Sequence, residues 1–365
     1  MMLDVVTFQH PDEFPPDVRQ LFDACEVHST ALGCSWYRNY VETIAISNGV
    51  VRFHVLRRDG IAVAAVAVSV RRVGWTLHRA AESLGNYYTT MYAPALAPAV
   101  SAAELAVLLT RLKRLHRPLA SLRLQPMDRD AQNYRILLDA LSLARFRSFE
   151  FLCFGNWYLR GHVDWPTYLA LRPSKMRSNI KRAEKKLLQD GGSVEVIVGV
   201  QEAERGVQAY EKVYASSWKK PEPHPDFIPG LVAAFAGQHW LRLGVAWLNG
   251  QPIAAQIWFV AHGRAEIFKV AYDEAFKEYS PGTVLTAKLM EHVMQSDVVH
   301  EVDYLIGDDA YKKIWMSDRR ERFGVVAYNV WTVAGLLGAI VEFAARQVKA
   351  CMRRARALWR TPDRT

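Results

Sequence analysis

The sequence predicts an α/β (α+β) fold in which one architecture is used twice. Two segments carry that prediction. VLRRDGIAVAAVAVSV (55–70) and AWLNGQPIAAQIWFV (246–260) share one form: a strand, a polar turn with glycine, and a strand of small apolar residues. In both halves a long helix, a strand, another helix and a further strand follow. The third observation is size, because 365 residues fit two domains of ordinary size better than one large core. The joint falls near 161–172. The expected division is therefore 1–160, 161–329 and a C-terminal helix over 330–365.

Each element has a local reason. Residues 16–25 and 35–46 have helical patterning. VRFHVLRRDG and IAVAAVAVSVRR form a hairpin across Asp59-Gly60, a strong short turn signal. Residues 75–84 continue the sheet. The helix over 101–115 starts on Ser101, with Glu104 three residues later, which is a capping box. SLRLQPMD is a strand, 130–144 a helix and 149–159 a strand. The second half opens on a basic helix, 173–189, closed by Gly191-Gly192. SVEVIV is a strand and 202–218 a helix. KKPEPHPDF holds three prolines and is irregular. Residues 228–236 are helical, LRLGVAWLNG and QPIAAQIWFVAHG form a hairpin, and RERFGVVAYN closes the sheet.

The most informative stretch runs from Glu266 to Trp315. EIFKVAYD is a strand, Tyr279-Ser280-Pro281-Gly282 a turn, 283–295 a helix and EVDYLIGD a strand. A turn that feeds a strand into a helix leaves free N–H groups at the helix start, where the dipole favours an anion. Such a unit can hold the phosphates of a nucleotide-like cofactor.

Composition excludes several classes. Half the residues are hydrophobic and 23% are charged, which describes a folded chain rather than a disordered one. Cys25, Cys34, Cys153 and Cys351 show neither a CxxC pair nor metal-ligand spacing, so no metal is expected and reduced thiols fit a cytoplasmic setting. The N-terminal stretch MMLDVVTFQHPDEF lacks the pattern of a signal peptide, and the longest apolar run, 330–341, is too short to span a bilayer.

The motifs RPSKMRSNIKRAEKKL, NGQPIAAQ, FKVAYDEAFKEYSPGTVL and DYLIGDDAYKKIWM together resemble the GNAT N-acyltransferase superfamily. Within it they are similar to the acetyltransferase domain of FemXAB-type and CelD-like proteins, over about 165–329. The resemblance implies tandem GNAT-like domains, each a mixed, mostly antiparallel sheet flanked by helices, with the first copy degenerate. It implies acyl-CoA as co-substrate and amide formation on an amine. A sphingoid base giving a ceramide, or an amino sugar, fits such a reaction in membrane lipid or cell-envelope biosynthesis; some bacterial ceramide synthases resemble this family. The family's pyrophosphate loop, Q/R-x-x-G-x-G/A, falls on 277–283, where Lys277, Ser280, Gly282 and Thr283 are the cofactor-binding candidates. Only Gly282 keeps the glycine pattern, and Pro281 removes one N–H donor.

An amine attacking a thioester needs a proton acceptor, an oxyanion stabiliser and a donor for the leaving thiolate. Lys269 and Asp303 are charges inside otherwise apolar strands. They form either a self-satisfying ion pair or a working pair with Asp303, or Asp308, as base. Asp308-Asp309 equally suit the N-cap of the next short helix. By resemblance Tyr311 is placed to protonate the leaving sulfur and Lys312 to contact a phosphate. Trp218, just before the prolyl loop, His224, within it, and Tyr87 and Tyr88, in the loop 86–92, are substrate-binding candidates against plain packing roles.

The net charge of +9 is clustered. One cluster lies on the basic helix (Arg172 to Lys186). The other lies in the tail, where seven basic residues follow Glu342 (Arg346, Lys349, Arg353, Arg354, Arg356, Arg360 and Arg364) against Asp363 alone. Leu336, Leu337, Ile340, Val341, Ala344 and Val348 form a stripe on the same helix, a pattern shared by membrane-surface helices and by docked terminal helices. The expected partners are thus a small-molecule or lipid amine and an anionic membrane surface, with a peripheral place on the inner face of the cytoplasmic membrane, and no DNA. Under the alternative of an aminoacyl-tRNA-dependent FemXAB-type transferase, the basic clusters would contact tRNA. A non-catalytic scaffold in polysaccharide export is the other alternative.

Overall fold

The computed structural model describes residues 2–44, 49–74, 76–162 and 164–358, with side chains as far as Met352 in the last helix. Arg360, Asp363 and Arg364 of the tail, and the side chains of Arg353, Arg354 and Arg356, lie outside the described residues; so do Ile46 and Trp75, at the ends of two expected elements. The strands are β1 Leu3–Phe8, β2 Val50–Arg58, β3 Ile61–Arg72, β4 Arg79–Ser83, β5 Ala95–Leu96, β6 Leu119–Asp128 and β7 Arg147–Arg160. Then follow β8 Gly192–Ile197, β9 Leu241–Leu248, β10 Gln251–Ala261, β11 Arg264–Tyr272, β12 Glu301–Asp303 and β13 Asp318–Tyr328.

Two compact units emerge, and they do not follow chain order. Unit 1 comprises Met1–Leu21, Asn48–Cys153 and Phe323–Thr365; unit 2 comprises Phe22–Ser47 and Phe154–Arg322. In unit 1 the strand order is β1-β2-β3-β4-β6, antiparallel until β4 meets β6 in parallel. In unit 2 the order is β8-β9-β10-β11-β12, again antiparallel until β11 meets β12 in parallel, with β7 antiparallel beyond it. The two orders are identical, so the repeat read from the two hairpins is a repeat of topology. Both hairpins turn on residue pairs with positive φ: Asp59 (49°) with Gly60 (88°), and Asn249 (50°) with Gly250 (77°). Such turns match the twist of the flanking strands.

In unit 1 the helix Ala102–Leu115 carries the capping box: Ser101 accepts from the Glu104 N–H, and the Glu104 carboxylate accepts from the Ser101 N–H at 2.9 Å. The loop after β4 turns inward. Ser83 donates its hydroxyl to the Gln125 carbonyl at 2.8 Å, and the Tyr92 N–H reaches the Pro126 carbonyl at 2.6 Å. Tyr88, Met91 and Tyr92 are buried, while Tyr87 is exposed.

The C-terminal helix Val333–Leu358 packs by its small residues. A Cβ on Gly335 would lie 2.2 Å from the Asn329 carbonyl oxygen, and one on Gly338 would lie 2.5 Å from the Tyr328 ring. The apolar stripe of the sequence faces outward instead: Leu336, Leu337, Ile340, Val341 and Val348 are all exposed.

In unit 2 the basic helix Ser174–Gln189 and the helix Pro281–Gln295 share a core with the sheet through Ile180, Leu187, Trp258, Leu285, Leu289 and Met290. Gly244 lets the second helix approach β9, since a Cβ there would meet Leu285 and Leu289 at 2.8 Å. One expected element is corrected. EVDYLIGD is a strand only over Glu301–Asp303. Leu305 (φ 53°) and Gly307 (φ 106°) enter the left-handed region, so the alternation expected to run to Asp308 stops at Asp303.

Candidate functional site

The parallel contact between β11 and β12 lasts three residue pairs, Arg264–Glu301 to Glu266–Asp303. Beyond it β11 runs on to Tyr272, while the other chain turns away at Leu305. The strands part, and a cavity of about 890 Å³ occupies the opening. Val270, Ala271 and Tyr272 line one wall, and Tyr304, Tyr311, Ile314 and Trp315 the other. The floor is the start of the helix at Ser280, Pro281, Gly282, Thr283 and Thr286. Lys175, Asn179 and Arg182 of the basic helix, with Lys277 and Trp218, complete the lining.

The sequence at the floor explains its shape. Residues Glu274–Tyr279 form a 3-10 segment that Ser280 ends in the left-handed region (φ 46°). Pro281 then opens the helix at a position whose N–H has no intrahelical acceptor, so its missing donor costs the helix nothing. Ser280 makes no side-chain cap. Gln256 of β10, almost fully buried, holds the turn from below: its amide donates to the Gly282 carbonyl at 3.1 Å and to the Thr286 hydroxyl at 2.8 Å. Its own oxygen accepts from Trp258 Nε1 at 2.9 Å. At the rim, Tyr279 donates to Asp190 at 2.9 Å, tying the turn to the end of the basic helix.

All four expected cofactor residues, Lys277, Ser280, Gly282 and Thr283, line this cavity, as do Trp218 and Tyr311. Trp218 stacks at an angle on Tyr272 with ring centroids 4.8 Å apart. Tyr311 meets Tyr304 edge-on at 5.7 Å. Burial, helped by Asp309, raises the Tyr311 phenol to about 12. It therefore stays protonated at neutral pH and is a weaker acid than a free phenol.

Lys269, Asp303, Asp308, Lys312 and His224 do not line the cavity. The Lys269–Asp303 pair does not form, because the β11–β12 register sets Asp303 beside Glu266, three residues away from Lys269. Lys269 pairs with Glu222 at 2.8 Å, both largely buried, and burial lowers its pKa against the pull of Glu222. Asp303 lies in another network. It accepts from Asn156 Nδ2 at 2.6 Å and from the Leu305 N–H at 2.7 Å, and it pairs with Arg320. Arg320 also meets Glu301 at 2.8 Å and Asn156 Oδ1 at 2.6 Å. Burial pushes the Asp303 carboxyl up, but Arg320, Arg322 and the hydrogen bonds outweigh it and hold the pKa below the usual range.

Asp308 does not cap the following helix. It binds Arg319 at 2.8 Å and accepts from Trp157 Nε1 at 2.6 Å, and the Arg319 hydrogen bonds lower its pKa. The short helix Lys312–Trp315 starts on Tyr311 without a side-chain cap. Lys312, buried, donates to the Ile306 carbonyl at 2.5 Å and meets Asp309 at 3.2 Å, so it fastens the irregular segment after β12. His224 holds the loop by accepting the Phe227 N–H on its carbonyl at 3.2 Å. Tyr87 and Tyr88 belong to unit 1, where Tyr88 is core.

Three residues escape sequence reasoning. Gln256 is a polar residue inside an otherwise small-apolar run, and that exception is the signal it leaves. Glu222 sits among prolines and leaves none. Lys219, beside Trp218, has its pKa lowered to about 8 by burial and by the positive charge of Lys269.

Residues 174–313, from the basic helix to the segment after Tyr311, match the family described as "Acetyltransferase (GNAT) domain". This match marks the segment as similar to a GNAT domain. Among solved structures, the crystal structure of FemX matches with a TM-score of 0.60 at 11% identity, covering 88% of this chain and 97% of FemX. A conserved protein of unknown function from Bacteroides thetaiotaomicron matches at 0.53 and 12% identity, covering 87% of this chain and 98% of that one. The C-terminal DUF2156 domain assigned to a lysylphosphatidylglycerol synthetase of Agrobacterium fabrum matches at 0.51 and 12%, covering 90% and 96%. No match is found among curated proteins. At such identities the likeness concerns fold alone: a mixed α/β, tandem GNAT-like arrangement similar to that of FemX. Within the matched segment the cavity lies where β11 and β12 separate. Among the described residues, no helix is long and apolar enough to cross a membrane.

Proposed function

We propose that the chain is an acyl-CoA-dependent N-acyltransferase that forms an amide on an amine acceptor of membrane lipid or cell-envelope biosynthesis, such as a sphingoid base or an amino sugar. The cavity where β11 and β12 part, floored by a helix start and rimmed by Lys175, Arg182 and Lys277, carries this reading. The donor supplies an activated acyl carbonyl; the residues present fit its phosphates. Pro281 offers no N–H, but three cations and the positive end of a helix face the same mouth. A Cβ added at Gly282 would lie in ordinary contact with the Tyr272 ring, at 3.4 Å, so the ring stands directly over the floor. Tyr272, Trp218 and Ile314 offer an apolar surface to the acyl group or to an apolar acceptor. Tyr311 supplies a proton to the departing thiolate. Lys219, behind Trp218, is the nearby group able to accept the amine proton at mildly alkaline pH. Most of the rate comes from holding amine and carbonyl together.

The test is release of free CoA by the purified chain, with acyl-CoA of graded length against sphingoid bases and amino sugars. Thiol release that requires both substrates, with an amide product identified by mass, is the expected result. No release above background with any pair, while aminoacyl-tRNA serves as donor, would overturn it in favour of a tRNA-dependent transferase.

A further inference from the structure

The C-terminal helix Val333–Leu358 is inverted relative to an ordinary docked helix. Gly335, Gly338 and Ala339 occupy its inner face, and a Cβ at either glycine would collide with unit 1. The helix is so close to its support that no large side chain fits beneath it. Its large apolar residues point away: Val333 is 71% exposed, Leu337 58% and Val341 67%, and Trp331, just before the helix, 73%. Solvating this face is unfavourable, and such patches mark surfaces that meet something apolar.

We infer that this face is a docking surface for an anionic lipid bilayer, on which the helix lies flat. Charge selects that occupant. The apolar turns are followed by seven basic residues against one acidic residue after Glu342. Arg346 is already engaged, with Glu342 at 2.8 Å and the Glu150 carbonyl at 2.7 Å, but Lys349 is exposed and five more arginines follow it in sequence. An apolar face continued by cationic residues is complementary to an acyl layer covered by anionic headgroups. Trp331 stands at the edge of the face, as tryptophan does at membrane interfaces. This inference does not depend on the reaction assigned above.

The experiment is flotation of the full chain with vesicles of phosphatidylcholine alone and of phosphatidylcholine with about one-third phosphatidylglycerol. Each basic residue near an anionic leaflet multiplies partitioning about fivefold. The anionic vesicles are therefore expected to carry at least about tenfold more protein, and raising the salt to about 0.5 M to remove most of that excess. Leu337→Glu with Val341→Glu, both at exposed positions, is expected to lower flotation about tenfold or more while leaving the circular dichroism spectrum unchanged. Lys349→Glu tests the charge alone and is expected to weaken binding to anionic vesicles only. Equal flotation on both vesicle types, or none, overturns the inference, as does flotation indifferent to the double substitution. Concentration-dependent dimerisation abolished by that double substitution, without vesicle binding, would make the face a protein interface and overturn it too.

Discussion

Replacing Asp303 by asparagine separates two roles that the sequence leaves open. The carboxylate is almost fully buried and accepts from Asn156 and the Leu305 N–H while paired with Arg320. Removing one partner of a buried ion pair costs about 3–5 kcal/mol, because the other charge is left uncompensated. Here Arg320 keeps Glu301 at 2.8 Å, and asparagine keeps an oxygen for the Leu305 N–H, so the low end, about 3 kcal/mol, is expected. For a unit of roughly 200 residues that shifts the thermal midpoint down by about 6–12 °C. The same change leaves the cavity lining untouched, so at a temperature where the variant is folded, kcat/KM should fall less than about fivefold. Scanning calorimetry, with kinetics about 20 °C below the midpoint, measures both. If the midpoint stays within about 2 °C and kcat falls by about 10² or more with acyl-CoA binding intact, Asp303 is a chemical group, and the network argument is wrong.

Other expectations follow from the same geometry. Tyr311→Phe keeps the ring and removes the proton, so kcat should drop by about 10² with little change in KM for the donor; an equal loss on both would instead indicate a binding role. Lys277→Ala and Arg182→Ala should each raise KM for acyl-CoA several-fold, about 3–10, with the effect shrinking at high salt because both charges lie at the mouth. In unit 1, His54 and His116 meet at 2.9 Å through their Nε2 atoms, buried. Burial, then the neighbouring charges, lowers His54 to about 3 and His116 to about 4. The unfolded chain therefore binds more protons below about pH 6.5. Stability present above that pH should fall on acidification toward pH 4, by up to about 1.4 kcal/mol per pH unit for each histidine. Urea midpoints at pH 7 and pH 5 check this, and a double replacement by glutamine should flatten the dependence.

Local chemistry was legible in the sequence wherever one short segment decides the outcome. Asp59-Gly60 and Asn249-Gly250 name their turns, Ser101 and Glu104 name a helix start, and 277–283 names the cavity floor. Pairings between distant segments were not. Nothing near Lys269 says that its partner is Glu222, from a prolyl loop on the other side of two strands. The break at Leu305 was missed because EVDYLIGD alternates well as a string. A buried lysine, Lys312, fastens the chain in a shape that propensity does not favour. The C-terminal stripe was legible as a stripe, but its direction was not, since only the approach distance at Gly335 and Gly338 decides which face turns inward.

The inward loop after β4 has a consequence for the stability of unit 1. In unit 2 the flank of the parallel pair is open to a ligand; in unit 1 the chain fills the flank of β6 with Tyr88, Met91 and Tyr92. Side chains buried there act as core, so the loop contributes cohesion to unit 1. Truncating one of these residues, such as Tyr92, would cost about 3–5 kcal/mol. That is a sizeable part of the stability of an ordinary domain. The flank that borders a cavity in unit 2 is thus part of the core in unit 1, and its aromatics work there as cement rather than as lining.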